Sequence, residues 1–125
     1  MMLLKVTLLS FFLLGNTYAI DKNMVMGQLK SDVIRMTLMA NGNKLKSCYQ
    51  NILTTSKTPF SFKSQMHFII SKDGTVKKAN VTPVEDNENN NKVSACIVEV
   101  LKDISFPKPK GNGVVEVSQS LNFSI

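Results

Sequence analysis

The chain has 125 residues, with 15 lysines and arginines against 9 aspartates and glutamates for a net charge of +6, two cysteines and a single histidine. That length suits one domain with one core, and the basic residues are scattered rather than gathered in a stripe with interleaved aromatics, which argues against a nucleic-acid reader. Two cysteines and His67 fall short of the four ligands of a structural zinc site, and neither a metal nor another cofactor is expected.

The first stretch, "MMLLKVTLLSFFLLGNTYA", has a positive start at Lys5, a short apolar core from Val6 to Leu14, and a small-x-small cleavage site at Thr17-Tyr18-Ala19. A membrane-crossing helix needs about 20 apolar residues, and this run is much shorter. Residues 1–19 therefore read as a removable secretory signal. No cysteine follows the site, so lipid attachment there is not expected. The mature protein would keep 106 residues and, having lost Lys5, a net charge of +5. It is expected to be exported, periplasmic or secreted, and soluble once cleaved. Residues 20–28 read as a flexible lead, and 29–125 as the single domain.

Ser31 reads as a helix cap with Asp32 in the first turn. Ile34, Leu38, Leu45, Cys48, Tyr49 and Ile52 then share one arc at helical spacing. The phase continues through Asn41-Gly42-Asn43, so one long or gently kinked helix is expected to about Thr54, although two short helices meeting at Gly42 would fit the same pattern. Pro59 stops the run. In "FSFKSQMHFII", Phe62, Ser64, Met66, Phe68 and Ile70 alternate with Lys63, Gln65 and His67, the period of a strand. Asp73-Gly74 suits a two-residue hairpin turn. That turn would set Lys72 opposite Thr75, Ile70 opposite Lys77, Phe68 opposite Ala79, Met66 opposite Val81 and His67 opposite Asn80. After the polar loop "EDNENNN", Asn90 or Asn91 could cap a helix with Val93, Ile97, Val100, Leu101 and Ile104 on its apolar stripe and Cys96 at its edge. Pro107 and Pro109 end it. The final strand places Val115, Val117, Leu121, Phe123 and Ile125 on one face, with Gln119 the exception. The fold class expected is therefore α+β in two layers, helix-strand-strand-helix-strand, with two helices on one face of a three-stranded antiparallel sheet.

Cys48 and Cys96 lie on or beside the apolar stripes of different helices. In an exported protein two such thiols read as one disulfide, and closing a loop of about 49 residues would stabilise by about 4 kcal/mol through chain entropy. The competing reading, a thiol enzyme or redox protein using Cys48 or Cys96, would need a basic neighbour or a C-x-x-C context to lower a thiol pKa. Neither is visible, and His67 is expected on the sheet face away from the thiols. No serine-hydrolase elbow, phosphate-binding glycine loop or calcium loop appears. No catalytic residue is assigned, and a non-enzymatic protein is expected.

In order, Cys48-Tyr49, "KDGTVKKANV", "ACIVEVL", "FPKP" and the closing strand resemble the C-terminal domain of the AgmX/PglI gliding-motility family, which is TonB C-terminal-like. The likeness runs over about residues 29–125. It departs at Gln50, where that family usually has an acid, and at Ser120-Leu121, where a proline-aromatic pair is frequent. The resemblance implies a last strand lying beside the first and forming a sheet edge that captures an extended segment of a partner.

The edge so implied is Val114, Glu116, Val117, Ser118, Ser120 and Asn122, in a strand with no proline and one charge. The function expected is that of an exported protein-binding module, an adaptor or accessory subunit of the cell envelope that binds an envelope protein by strand addition. A homodimer through the same edge, or weak attraction of the basic surface to anionic membrane or wall polymers, are the other partners considered.

Overall fold

The computed structural model describes residues 5–7 and 27–125. Its elements are β1 (Lys5–Thr7), α1 (Ser31–Ala40), α2 (Gly42–Thr55), β2 (Phe62–Ile70), β3 (Val76–Pro83), α3 (Glu88–Lys102) and β4 (Val115–Phe123). The sheet order is β1-β4-β2-β3. β2 is antiparallel to both β3 and β4, and β1 runs parallel to β4. The three long strands with a helical layer on one face are the expected α+β arrangement. Phe62, Met66, Phe68 and Ile70 of the central strand meet Ile34, Leu45, Cys48, Tyr49, Val93, Ile97 and Leu101 of the helices in one buried core. Each valine, leucine, isoleucine, phenylalanine or methionine so buried contributes about 1.5–3 kcal/mol.

The first helix is not continuous. It breaks at Asn41, whose side-chain amide donates to the Thr37 carbonyl (2.9 Å) while its backbone N–H turns to Leu38 (3.0 Å). In an unbroken helix the Asn41 N–H would take the Thr37 carbonyl, so the asparagine side chain has replaced its own backbone. The Asn41 carbonyl then starts α2 by accepting from Lys44 and Leu45. Leu38 and Leu45 stay buried on either side, which is why the apolar phase passes through the kink unmarked. Ser31 is also not the cap. Lys30 holds the extended cap position and accepts from Val33 and Ile34 through its carbonyl, which makes Ser31 the first helical residue.

The β2–β3 register is as expected from Ser64–Pro83 through Ile69–Lys78, including Met66–Val81, His67–Asn80 and Phe68–Ala79. The turn is one residue longer than expected. Ser71 accepts from Gly74 and donates to Thr75, so Lys72, Asp73 and Gly74 form the loop, with Gly74 at φ 92°. A bulge between Ile69 and Ile70 absorbs the extra residue, and Ile70 faces Val76 instead of Lys77. That shift points Val76 into the core and leaves Lys77 in solvent. The turn is docked onto the segment after α3: the Phe106 N–H donates to the Gly74 carbonyl (2.9 Å), and Thr75 bridges to Ser105.

Helix α3 is capped by Asn87, not Asn90 or Asn91. The Asn87 side chain accepts from the Asn90 N–H at 2.9 Å, and Asn90 is itself buried, donating to the Glu85 carbonyl. Val93, Ile97, Leu101 and Ile104 are buried as the stripe predicts, and Val100 is half-buried. The disulfide joins Cys48 of α2 to Cys96 of α3, with Cα atoms 5.6 Å apart. Tyr49 beside it stacks on Phe123 of β4 and donates to the Phe60 carbonyl at 2.5 Å, tying α2 to the last strand.

Candidate functional site

The outer edge of β4 can be read from the hydrogen-bond phase of the sheet. The Val84 N–H donates to the Lys63 carbonyl at 2.8 Å. Successive residues of an antiparallel strand point their backbone groups to opposite sides. Odd-numbered residues of β2 therefore bond to β3, and Ser64, Met66, Phe68 and Ile70 bond to β4. Their partners there are Leu121, Gln119, Val117 and Val115. The backbone N–H and C=O groups of Glu116, Ser118, Ser120 and Asn122 consequently aim away from β2, at the sheet edge.

Four of the expected edge residues thus do present their backbones outward. Val117 does not: its side chain is in the core opposite Phe68, and its backbone belongs to the β2 ladder. Val114 precedes the strand, and its carbonyl accepts from the Gly27 N–H at 2.7 Å. Gln28 and Lys110 exchange a pair of backbone bonds next to it (2.8 and 2.7 Å), so the last two residues of the expected lead are pinned to the start of β4.

Residues 5–7 lie on the next part of this edge. Lys5 pairs with Glu116, Val6 with Val117 and Thr7 with Ser118, in parallel. These three residues fall within the expected signal, the rest of which lies outside the described residues. Beyond Ser118, no strand pairs at the edge among the described residues. There the Ser120 carbonyl accepts from the side-chain amide of Gln119 (2.8 Å), a local substitute for a strand.

The sheet face opposite the helices carries a polar ladder that sequence reasoning missed. Gln65 donates to the Ser118 hydroxyl (3.2 Å) and accepts from the Ser120 hydroxyl (3.1 Å), and Ser118 lies 3.4 Å from His67 Nδ1. That last separation is longer than the reach used for proton transfer, about 2.6–3.2 Å. A hollow of about 500 Å³ over this face is lined in part by His67, Ile69, Lys78, Asn80 and Glu116. The β2–β4 register brings Glu116, Ser118 and Ser120 beside Gln65, His67 and Ile69, and no local motif carries that register.

The disulfide and His67 are on opposite sides of the sheet, as expected. Both sulfurs are joined to each other, so a thiolate at either requires reduction first. In the hairpin turn, the Ser71 hydroxyl, the Thr75 hydroxyl and the Thr75 N–H hold the exposed Asp73 carboxyl well below the usual carboxylate range. They all donate to the same oxygen. This shapes the turn and needs no ligand.

No protein-family model, no curated protein and no solved structure matches the chain.

Proposed function

We propose that this chain is an exported, non-catalytic protein-binding module, an adaptor or accessory subunit of the cell envelope, which captures an extended segment of a partner protein by strand addition at β4. The observation that carries the reading is the parallel pairing of Lys5–Thr7 with Glu116, Val117 and Ser118. The edge accepts a strand, and the strand it holds lies within the segment expected to be cleaved. Loss of residues 1–19 would open Glu116 to Ser118 and join them to Ser120 and Asn122 in one continuous edge. An unpaired edge of this kind favours pairing with another chain. The disulfide supports an oxidising compartment, and no helix among the described residues is long and apolar enough to cross a membrane. The ordered resemblance to AgmX/PglI C-terminal domains, with their TonB-like edge, supports the same reading.

The test is a pair of proline substitutions in the chain expressed with its leader and exported. Ser120→Pro removes an N–H that faces the edge, which a sheet margin tolerates. Gln119→Pro removes one from the β2 ladder and should unfold the domain. With a photo-crosslinker at Asn122 in the native envelope, the unsubstituted edge should yield a discrete adduct, and Ser120→Pro should lose it while keeping its circular dichroism spectrum. An adduct unchanged by Ser120→Pro refutes strand addition. An adduct containing only a second copy of the chain assigns the edge to a homodimer, and binding to anionic vesicles that vanishes at moderate salt assigns it to the basic surface instead.

A further inference from the structure

Beside the last half of β4, the kink between α1 and α2 leaves an open groove of about 230 Å³. It is lined by Leu38, Met39, Leu45, Met66, Leu121 and Phe123, with Arg35, Gln119 and Ser120 as its polar members. Small-molecule sites run to about 300–1,000 Å³, so this space suits one or two side chains. Met39 at its rim is 71% exposed. The Gln119 Oε1 is buried and has no hydrogen-bond partner among the described residues, while the amide nitrogen on the same group caps the Ser120 carbonyl. Gln119 is the one polar residue that β4 turns toward the helices, at the position where the apolar alternation lapses.

The groove continues the edge that β1 occupies. The pairing of Lys5 with Glu116 and Thr7 with Ser118 sets a parallel register. Continued by four residues, a strand in that register reaches Asn122. Neighbouring strands point paired side chains to the same face. The incoming residues opposite Gln119 and Leu121 would therefore face the helix side, where the groove lies. The two between and beyond them would face the polar ladder.

We propose that this groove is the specificity pocket of the strand-capture edge, taking a parallel segment with a hydrogen-bonding side chain opposite Gln119 and an apolar one not branched at Cβ, leucine or methionine, opposite Leu121. The inference rests on the strand-addition reading and adds which partner sequence the edge selects. The incoming backbone takes over the Ser120 carbonyl, which frees the Gln119 amide to pair with the incoming polar side chain. The apolar side chain fills the space between Leu38, Met39 and Leu121. Arg35 at the lining makes a basic segment a poor occupant.

The test uses the chain as exported, without residues 1–19, and a synthetic peptide, acetyl-Lys-Val-Thr-Gln-Ser-Leu-Ser-amide, whose first three residues repeat the strand already seen on the edge. Fluorescence anisotropy should show saturable binding. Replacing the peptide leucine by alanine should weaken it about tenfold or more, the loss expected for one buried leucine. Met39→Glu, a change at an exposed rim, should weaken the leucine peptide similarly while barely affecting the alanine peptide. Binding that Ser120→Pro removes but neither groove change alters overturns the pocket and leaves strand addition standing. Absence of binding by any of these peptides overturns both.

Discussion

Replacing both cysteines, Cys48→Ala with Cys96→Ala, should lower the stability of the domain by about 4 kcal/mol. The figure follows from the 48-residue separation of the bridged cysteines and the chain entropy that the cross-link removes from the unfolded state. Set against a margin of about 5–15 kcal/mol for small domains, it is a quarter or more of the total. The bridge joins the two helices that cover the central strand, so its loss should be felt globally. The assay is urea unfolding followed by circular dichroism, with the oxidised protein and the double variant compared at one pH. With a slope of about 1–1.5 kcal/mol per molar urea for this size, the midpoint should fall by about 3 M. The slope itself should rise, because an unfolded chain without the cross-link exposes more surface. A midpoint within about 0.5 M of the parent, with an unchanged slope, would refute the reasoning that the sulfur bridge holds the helical layer together by restricting the unfolded chain.

Gly74→Ala should be the most damaging single change in the hairpin: its Cβ would come within 2.1 Å of the Phe106 carbonyl oxygen, at a φ of 92° that L residues avoid. A loss of at least about 2 kcal/mol, read as a fall in Tm of about 10 °C or more, is expected. Asn87→Ala removes the side-chain cap on α3 and should cost about 1 kcal/mol, or about 5 °C in Tm. Asp73 has a folded-state pKa depressed below its ordinary value of 3.8. Its contribution is therefore present above that value and lost as pH falls toward the lower folded-state pKa. Asp73→Asn should thus flatten the acid limb of a Tm-against-pH curve below about pH 4, and a limb of undiminished slope would show that the turn network does not contribute.

Much of this fold was legible because burial imposes period. The alternation from Phe62 to Ile70 and the stripe from Val93 to Ile104 each required a covered face, and both elements formed. The hairpin register was read correctly from a turn one residue too short, because the bulge beside Ile70 restores the pairing beyond it. The kink at Asn41 was hidden, since a side-chain bond to Thr37 substitutes for the backbone bond without moving Leu38 or Leu45 out of phase. Among the asparagines before α3, composition alone could not single out Asn87 as the cap. The edge was legible only as a strand. Which of its residues face outward depends on which neighbour β2 bonds to, and so Val117 was grouped with Glu116 and Ser118. Gln119 stood out as a lapse in the apolar pattern, and the structure places it in the lining of the groove.

The central claim is that the outward-facing backbone of β4 receives a strand from another chain. Amide hydrogen exchange, followed by NMR on the exported protein with and without the Lys-Val-Thr-Gln-Ser-Leu-Ser peptide, tests it residue by residue. The account predicts new protection at the Glu116, Ser118, Ser120 and Asn122 amides, with Val117, Gln119 and Leu121 protected alike in both states by β2. Protection gained at the odd-numbered amides, or none gained anywhere on β4, would contradict it.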